Sequence, residues 1–186
     1  LELQESLVSN TGLQQFLAKC SATLKDLNLD STDISGEGLE NVPVLRLEKL
    51  ELAWSNVSNT GLQQLLAKCS ATLKDINLSD TDISGESLVS VPVLKLNKLK
   101  MSNCENLTNK GLLQLLAKCS ATLKELRLPG TKIDGEGLAD WIARLAPGKL
   151  QQLDLCYCRN VSDADVDRIR TALPQCTVFY TQRGWN

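Results

Sequence analysis

Seven cysteines, the carboxylates and the absence of histidine define what chemistry this 186-residue chain could do. Cysteine offers a thiolate nucleophile, a soft metal ligand or half of a disulfide. The cysteines stand at 20, 69, 104, 119, 156, 158 and 176, and an odd number argues against a complete set of internal bridges. Cys156-Tyr-Cys158 holds two thiols close together, but a zinc site needs more soft ligands than that. With no histidine and no second close pair, no metal site is expected. Carboxylates such as Asp26 and Glu51 could pair for acid–base work. The usual general base is missing, however, and so are a G-x-x-x-x-G-K-[ST] phosphate loop and a G-x-S-x-G elbow. No catalytic residue, no cofactor and no enzymatic activity are expected.

Charge excludes other classes. Twenty basic and 22 acidic residues leave a net −2, with no basic excess to hold nucleic acid. No apolar run approaches the roughly 20 residues of a membrane helix. Neither nucleic acid nor a membrane is therefore expected as the partner. Unpaired thiols suit a reducing compartment, so a cytoplasmic location is expected. Four sequons point the other way, to secretion: Asn56-Val-Ser58, Asn77-Leu-Ser79, Asn106-Leu-Thr108 and Asn160-Val-Ser162. Three of them occupy one place just before a helix, where Ser or Thr is equally explained as its cap.

The elements that position these residues repeat. GLQQFLAKCSATLK (Gly12–Lys25) recurs as GLQQLLAKCSATLK (Gly61–Lys74) and GLLQLLAKCSATLK (Gly111–Lys124), so that Cys20, Cys69 and Cys119 are 49 and 50 residues apart. Each long period is double. The pattern L-x-x-L-x-L, with conservative swaps, centres on residues 27, 50, 76, 99, 126 and 153, spaced by 23, 26, 23, 27 and 27. Leu1 opens the series, and LPQCTV (Leu173–Val178) closes it with Cys176 expected in the central slot. In SNTGLQQLLAKC (Ser58–Cys69), Leu62, Leu65, Leu66 and Cys69 share one helical face, with Ser58 or Asn59 as cap. Residues 134–145 and 162–173 read as helices in the same way. SGEGLENVP (Ser35–Pro43) and SGESLVSVP (Ser84–Pro92) are stopped by proline and read as short turns.

This pattern resembles the leucine-rich repeat over essentially the whole chain. The resemblance implies an α/β solenoid: a curved horseshoe with a parallel concave sheet of about eight short strands. Helices and short turns alternate on its convex side. The whole chain is then one domain, 1–172 repeats and 173–186 a C-terminal capping strand and tail. Thr32, Ser55, Thr81, Cys104, Thr131 and Cys158 fall where such repeats usually carry asparagine, and small hydroxyls or thiols can bond the turn instead. LKMSNCENLTNKGLLQLLAKC and LQQLDLCYCRNVSDADV look like the cysteine-containing class familiar from F-box proteins. Ribonuclease-inhibitor and innate immune receptor repeats are close in architecture.

Strand spacing then answers the cysteine question. Neighbouring strands lie about 4.8 Å apart, so equivalent thiols two units apart are about 10 Å from each other, beyond disulfide reach. Cys20, Cys69 and Cys119 read as small buried hydrophobes at the ends of helix faces.

Residues between the leucines face out onto the concave sheet. Asp26, Asp30, Glu51, Asp75 and Asp80 make its first half acidic; Lys98, Lys100 and Arg127 form a basic band; Trp54 and Tyr157 stand in matching slots as aromatic anchors. These ten residues are the candidate partner-binding surface. The expected function is a protein-recognition module, the sensor or ligand-recognition region of a larger innate immune-type receptor. The competing readings are the substrate-recognition part of an F-box-type ubiquitin ligase adaptor, or a consensus-designed repeat scaffold with no native ligand. The residues that differ between copies (Trp54, Asp80, Asn103) lie where a partner would touch, which disfavours the scaffold. Leu1 starts inside a strand pattern, so upstream repeats or a dimer through that edge are expected. Phe179, Tyr180 and Trp185 are expected to cover the other end.

Overall fold

Each L-x-x-L-x-L motif forms a three-residue strand whose central apolar residue is buried and whose neighbours face outward. The structure, a computed structural model, describes residues 1–119, 121–135, 138, 140, 141 and 149–182. Its strands are β1 (Asp26–Asn28), β2 (Lys49–Glu51), β3 (Asp75–Asn77), β4 (Lys98–Lys100), β5 (Glu125–Arg127), β6 (Gln152–Asp154) and β7 (Thr177–Phe179). They pair in sequence order as one parallel sheet of seven. The eighth expected strand is reduced to a bridge between Glu2 and Asn28. Register is unbroken: Leu27, Leu50, Ile76, Leu99, Leu126, Leu153 and Val178 stand side by side.

Two expectations are corrected at the C-terminal end. Val178, not Cys176, fills the last central slot. The turn after the last helix consumes residues 173–176, with Cys176 N–H donating to Leu173 O, so the strand starts two residues later. A two-residue shift preserves the facing pattern because the strand period is two. Tyr180 covers the core as expected and donates its hydroxyl to Val161 O at 2.7 Å. Phe179 stays 47% exposed on the open sheet face instead. Trp185 lies outside the described residues, as does most of the helix expected over 134–145, of which Leu138, Asp140 and Trp141 are helical.

The helices α1 (Asn10–Cys20), α2 (Asn59–Cys69) and α3 (Asn109–Cys119) pack on the other face of the sheet, followed by a last helix (Asp163–Ala172). Ser9 and Ser58 cap the first two; Thr108 Oγ1 accepts Gly111 N–H at 2.9 Å to cap the third. Though nearly identical in sequence, the copies are buried unequally. α2 and α3 each bury five residues, α1 only Leu13 and Leu17. Phe16 is 37% exposed in the slot where Leu65 is 0% exposed. Stacking decides this, since a solenoid unit buries its face only against a neighbour.

The short units differ from each other for a local reason. Residues 35–43 form turns, with Gly38 at φ +81°. That backbone aims Leu39 N–H at Gln64 Oε1, 2.9 Å away. Ser87 replaces Gly38 in the other copy, and serine disfavours the left-handed region. The segment coils into a 3₁₀ turn (Glu86–Ser90) in which Leu88 N–H returns to Gly85 O at 3.3 Å. The matching Gln114 Oε1 is then buried without a hydrogen-bond partner among the described residues. Gln64→Met, which strands a buried N–H, is expected to cost about 1–2 kcal/mol, whereas Gln114→Met is neutral or stabilising. Urea unfolding of the two variants measures the difference, and equal losses would contradict it.

Candidate functional site

The open face of the sheet carries the expected residues in ordered columns. The first column reads Asp26, Lys49, Asp75, Lys98, Glu125 and Gln152, and the second Asn28, Glu51, Asn77, Lys100, Arg127 and Asp154. All ten candidate residues therefore lie on this face or on the turn bordering it, but they are not equally available.

The basic band is largely consumed internally. Arg127 Nε donates to Glu125 Oε1 at 2.5 Å, and Lys98 Nζ lies 3.4 Å from Glu125 Oε2 across the strand pair. Burial pushes the Glu125 carboxyl up, yet the Arg127 guanidinium and the Lys98 ammonium more than offset it and hold it below the usual range. Lys100 alone of the three keeps a side chain with no hydrogen bond or ion pair among the described residues. Among the described residues, the one side-chain ion pair of the acidic half is that of Lys49, which bonds Glu51 Oε1 at 2.9 Å. Asp26 and Asp75 make no ion pair among the described residues. A separate ladder, Lys25–Glu48–Lys74, runs along the leading edge of the strands and holds Glu48 at about 2 through the two lysine hydrogen bonds.

Two residues after each buried strand leucine or methionine, the chain enters the left-handed region. Glu5, Ser31, Trp54, Asp80, Asn103 and Tyr157 all have φ between +54° and +60°, and Gly130 has +72°. Asn28, Asn77 and Asp154 prepare this bend by accepting the backbone N–H two residues on, at 2.9, 3.1 and 3.0 Å. Asp30 Oδ1 and Ser79 Oγ accept the N–H of the equivalent residue in the next unit, Ala53 at 2.7 Å and Ser102 at 3.2 Å. Asp30 is thus part of the turn scaffold as well as of the charged face. Gly, Asn and Asp tolerate a left-handed backbone; bulky residues there cost about 1–2 kcal/mol. Trp54 sits in this strained place and is 66% exposed. Sequence reading matched Trp54 with Tyr157 but missed the conformation. Its signal is the recurrence of Asp80, Asn103 and Gly130 in one repeat slot.

Beside Gly130, whose missing side chain makes room for the Asn103 amide, a groove of about 570 Å³ opens along the turn edge, bordered by Asn103, Lys132, Tyr157, Arg159 and Asn160. A smaller hollow of about 230 Å³ lies between Arg127, Asp154 and Phe179 on the sheet face. Neither encloses a carboxylate pair.

The thiols have structural work. The turn hydroxyls Thr32, Ser55, Thr81 and Thr131 donate to the carbonyl of their own strand's last leucine at 2.6–2.8 Å. Cys104 and Cys158 reach instead to Leu78 O and Leu128 O of the preceding unit, at 3.0 and 3.1 Å. Burial pushes Cys69 and Cys119 up to about 12, and burial with the nearby Asp154 pushes Cys156 to about 11. All seven cysteines are free. Asn56 and Asn106 donate to Asp33 and Asp82 of the preceding unit, Asn160 to Lys132 O, while Ser58, Thr108 and Ser162 cap helices.

No helix among the described residues is long and apolar enough to cross a membrane. Residues 20–42 and 69–91 match the family model of the leucine-rich repeat. The two matches are the same unit in successive copies, from helix end through strand and turn to the short segment. No curated protein matches the chain.

Proposed function

We propose that this solenoid of leucine-rich repeats is a protein-recognition module, and that its partner lies on the open sheet face and the left-handed turn edge beside it. Trp54 carries the reading. A large aromatic side chain held exposed at a strained backbone position costs stability and contributes nothing to the core. Tyr157 occupies the same slot and lines the groove beside Gly130. Aromatic anchors of this kind dominate binding energy at interfaces. The near-identity of the helix copies, against the divergence of the turn residues, favours the sensor or ligand-recognition region of an innate immune-type receptor. The cysteine-containing turns favour the substrate-recognition part of an F-box-type ligase adaptor.

The test is site-specific photo-crosslinking. A benzophenone amino acid at Trp54 is expected to capture a partner that the same group at Ala67, exposed on α2, does not. The purified partner then loses about 2 kcal/mol of affinity, roughly thirtyfold in Kd, with Trp54→Ala. Capture from Ala67 alone, or equal affinity for the variant, removes the open face from the function. Charge reversal at Lys98 or Arg127 is unsuitable here because it strips Glu125 of its partners.

A further inference from the structure

Subtracting internal ion pairs from the open face leaves two unlike halves. Around β1 to β3, six side-chain carboxylates (Glu2, Asp26, Asp30, Glu51, Asp75, Asp80) meet one side-chain ammonium, Lys49, a local side-chain charge of −5 in a chain whose side chains total −2. Around β4 to β6, the three cations face Glu125 and Asp154, a local charge of +1. The Lys25–Glu48–Lys74 ladder is confined to the leading edge. Asp30 feels the imbalance: burial raises its carboxyl, and Glu51 and Glu2 add to that against Ala53 N–H and Lys49.

Trp54, 66% exposed, stands at the turn border of this acidic half, in the slot that Ser31 and Asp80 occupy in the adjacent units. A cation over an indole face, with carboxylates alongside, is held both by the ring quadrupole and by charge. Phosphate-bearing partners are repelled by the same surface.

We infer that the β1–β3 half of the open face receives an extended, lysine- and arginine-rich segment of the protein partner, with one of its cations resting on Trp54. This rests on the recognition reading and names the chemistry of its partner. Asp26 and Asp75 lie two strands apart, about 10 Å. An extended chain crossing the strands spans that distance in three residues, at about 3.3 Å each. Cations at every third position therefore meet both carboxylates.

The probe is a short fluorescent peptide with lysine at every third position among alanine and glycine, compared with its glutamate counterpart by anisotropy at about 50 and 300 mM salt. The lysine peptide is expected to bind, and to weaken several-fold at the higher salt. Asp26→Asn with Asp75→Asn is expected to weaken it about tenfold, and Trp54→Ala at least threefold. Both carboxylates lack ion-pair partners among the described residues, so their amides leave the fold intact. The glutamate peptide is expected not to bind. Equal binding of both peptides, no binding of the lysine peptide, or unchanged affinity in the variants overturns the inference. The recognition reading fails separately: a crosslinked partner with a non-basic contact segment sinks only the basic-segment assignment, whereas no partner at Trp54 sinks both.

Discussion

Alanine at Gly111 lowers the stability of the folded chain by about 3 kcal/mol, while alanine at Gly12, in the same copied helix, costs nothing. The three copies of this glycine meet different neighbours. A Cβ at Gly111 would lie 1.9 Å from Ser84 O and 2.9 Å from the Gly85 Cα; at Gly61 it would lie 1.9 Å from Ser35 O. These contacts are backbone against backbone, and the loop holding them is fixed by Gly36 at φ +76° and Gly85 at +82°. No rotamer change relieves them. At Gly12 the nearest atom is Ser9 Oγ, 3.4 Å away, an ordinary contact. There alanine gains helix propensity of up to about 1 kcal/mol. Urea unfolding monitored by circular dichroism separates the cases: the midpoint falls for Gly61→Ala and Gly111→Ala and holds or rises for Gly12→Ala. Equal shifts in all three would mean that the glycine serves the helix itself and not the stacking of units.

Arg127→Leu reverses the acid dependence of the Glu125 region and costs about 2 kcal/mol at neutral pH. In the parent, the Glu125 side chain is 11% exposed and its carboxyl is held low by Arg127 and Lys98. A lowered folded value adds stability that is present above the unfolded glutamate's pKa of about 4.3, and that is lost as pH falls through the folded value. Without the guanidinium, burial dominates and the folded value rises. The contribution is then full below about pH 4.3 and is lost as pH climbs. The difference in unfolding free energy between parent and variant, measured from pH 3 to 7, should widen with pH. A difference that stays flat would show Glu125 to be solvated. Adding Glu125→Gln to Arg127→Leu restores most of the loss, because the buried charge has gone.

Periodicity made most of the architecture legible. The spacing of Leu27, Leu50, Ile76, Leu99, Leu126 and Leu153 placed β1 to β6 and their buried faces. Ser58 as a cap, Cys69 and Cys119 as buried ends of helix faces, and the hydroxyl and thiol turn slots also followed from local chemistry. The same spacing gave the last unit the wrong register, since the turn after the final helix takes up residues that earlier units spend differently.

What the chain could not declare locally was how far each copy is served by its neighbours. Lys98 and Glu125 are 27 residues apart in sequence, and only strand register makes them partners, which is why two of the three cations in a basic band read from residue types are tied to Glu125. The left-handed slot that exposes Trp54 depends on hydrogen bonds from one unit to the next, such as Trp54 N–H to Ser79 O at 3.0 Å. Phe16 and Leu65 occupy the same place in copied helices, yet one is 37% exposed and the other fully buried. The sequence by itself determined what each unit is, because period, caps and turn chemistry act within about 25 residues. Only the tertiary structure decided which charges, thiols and aromatic rings remain available, because in a stacked parallel solenoid availability is set by the adjacent unit.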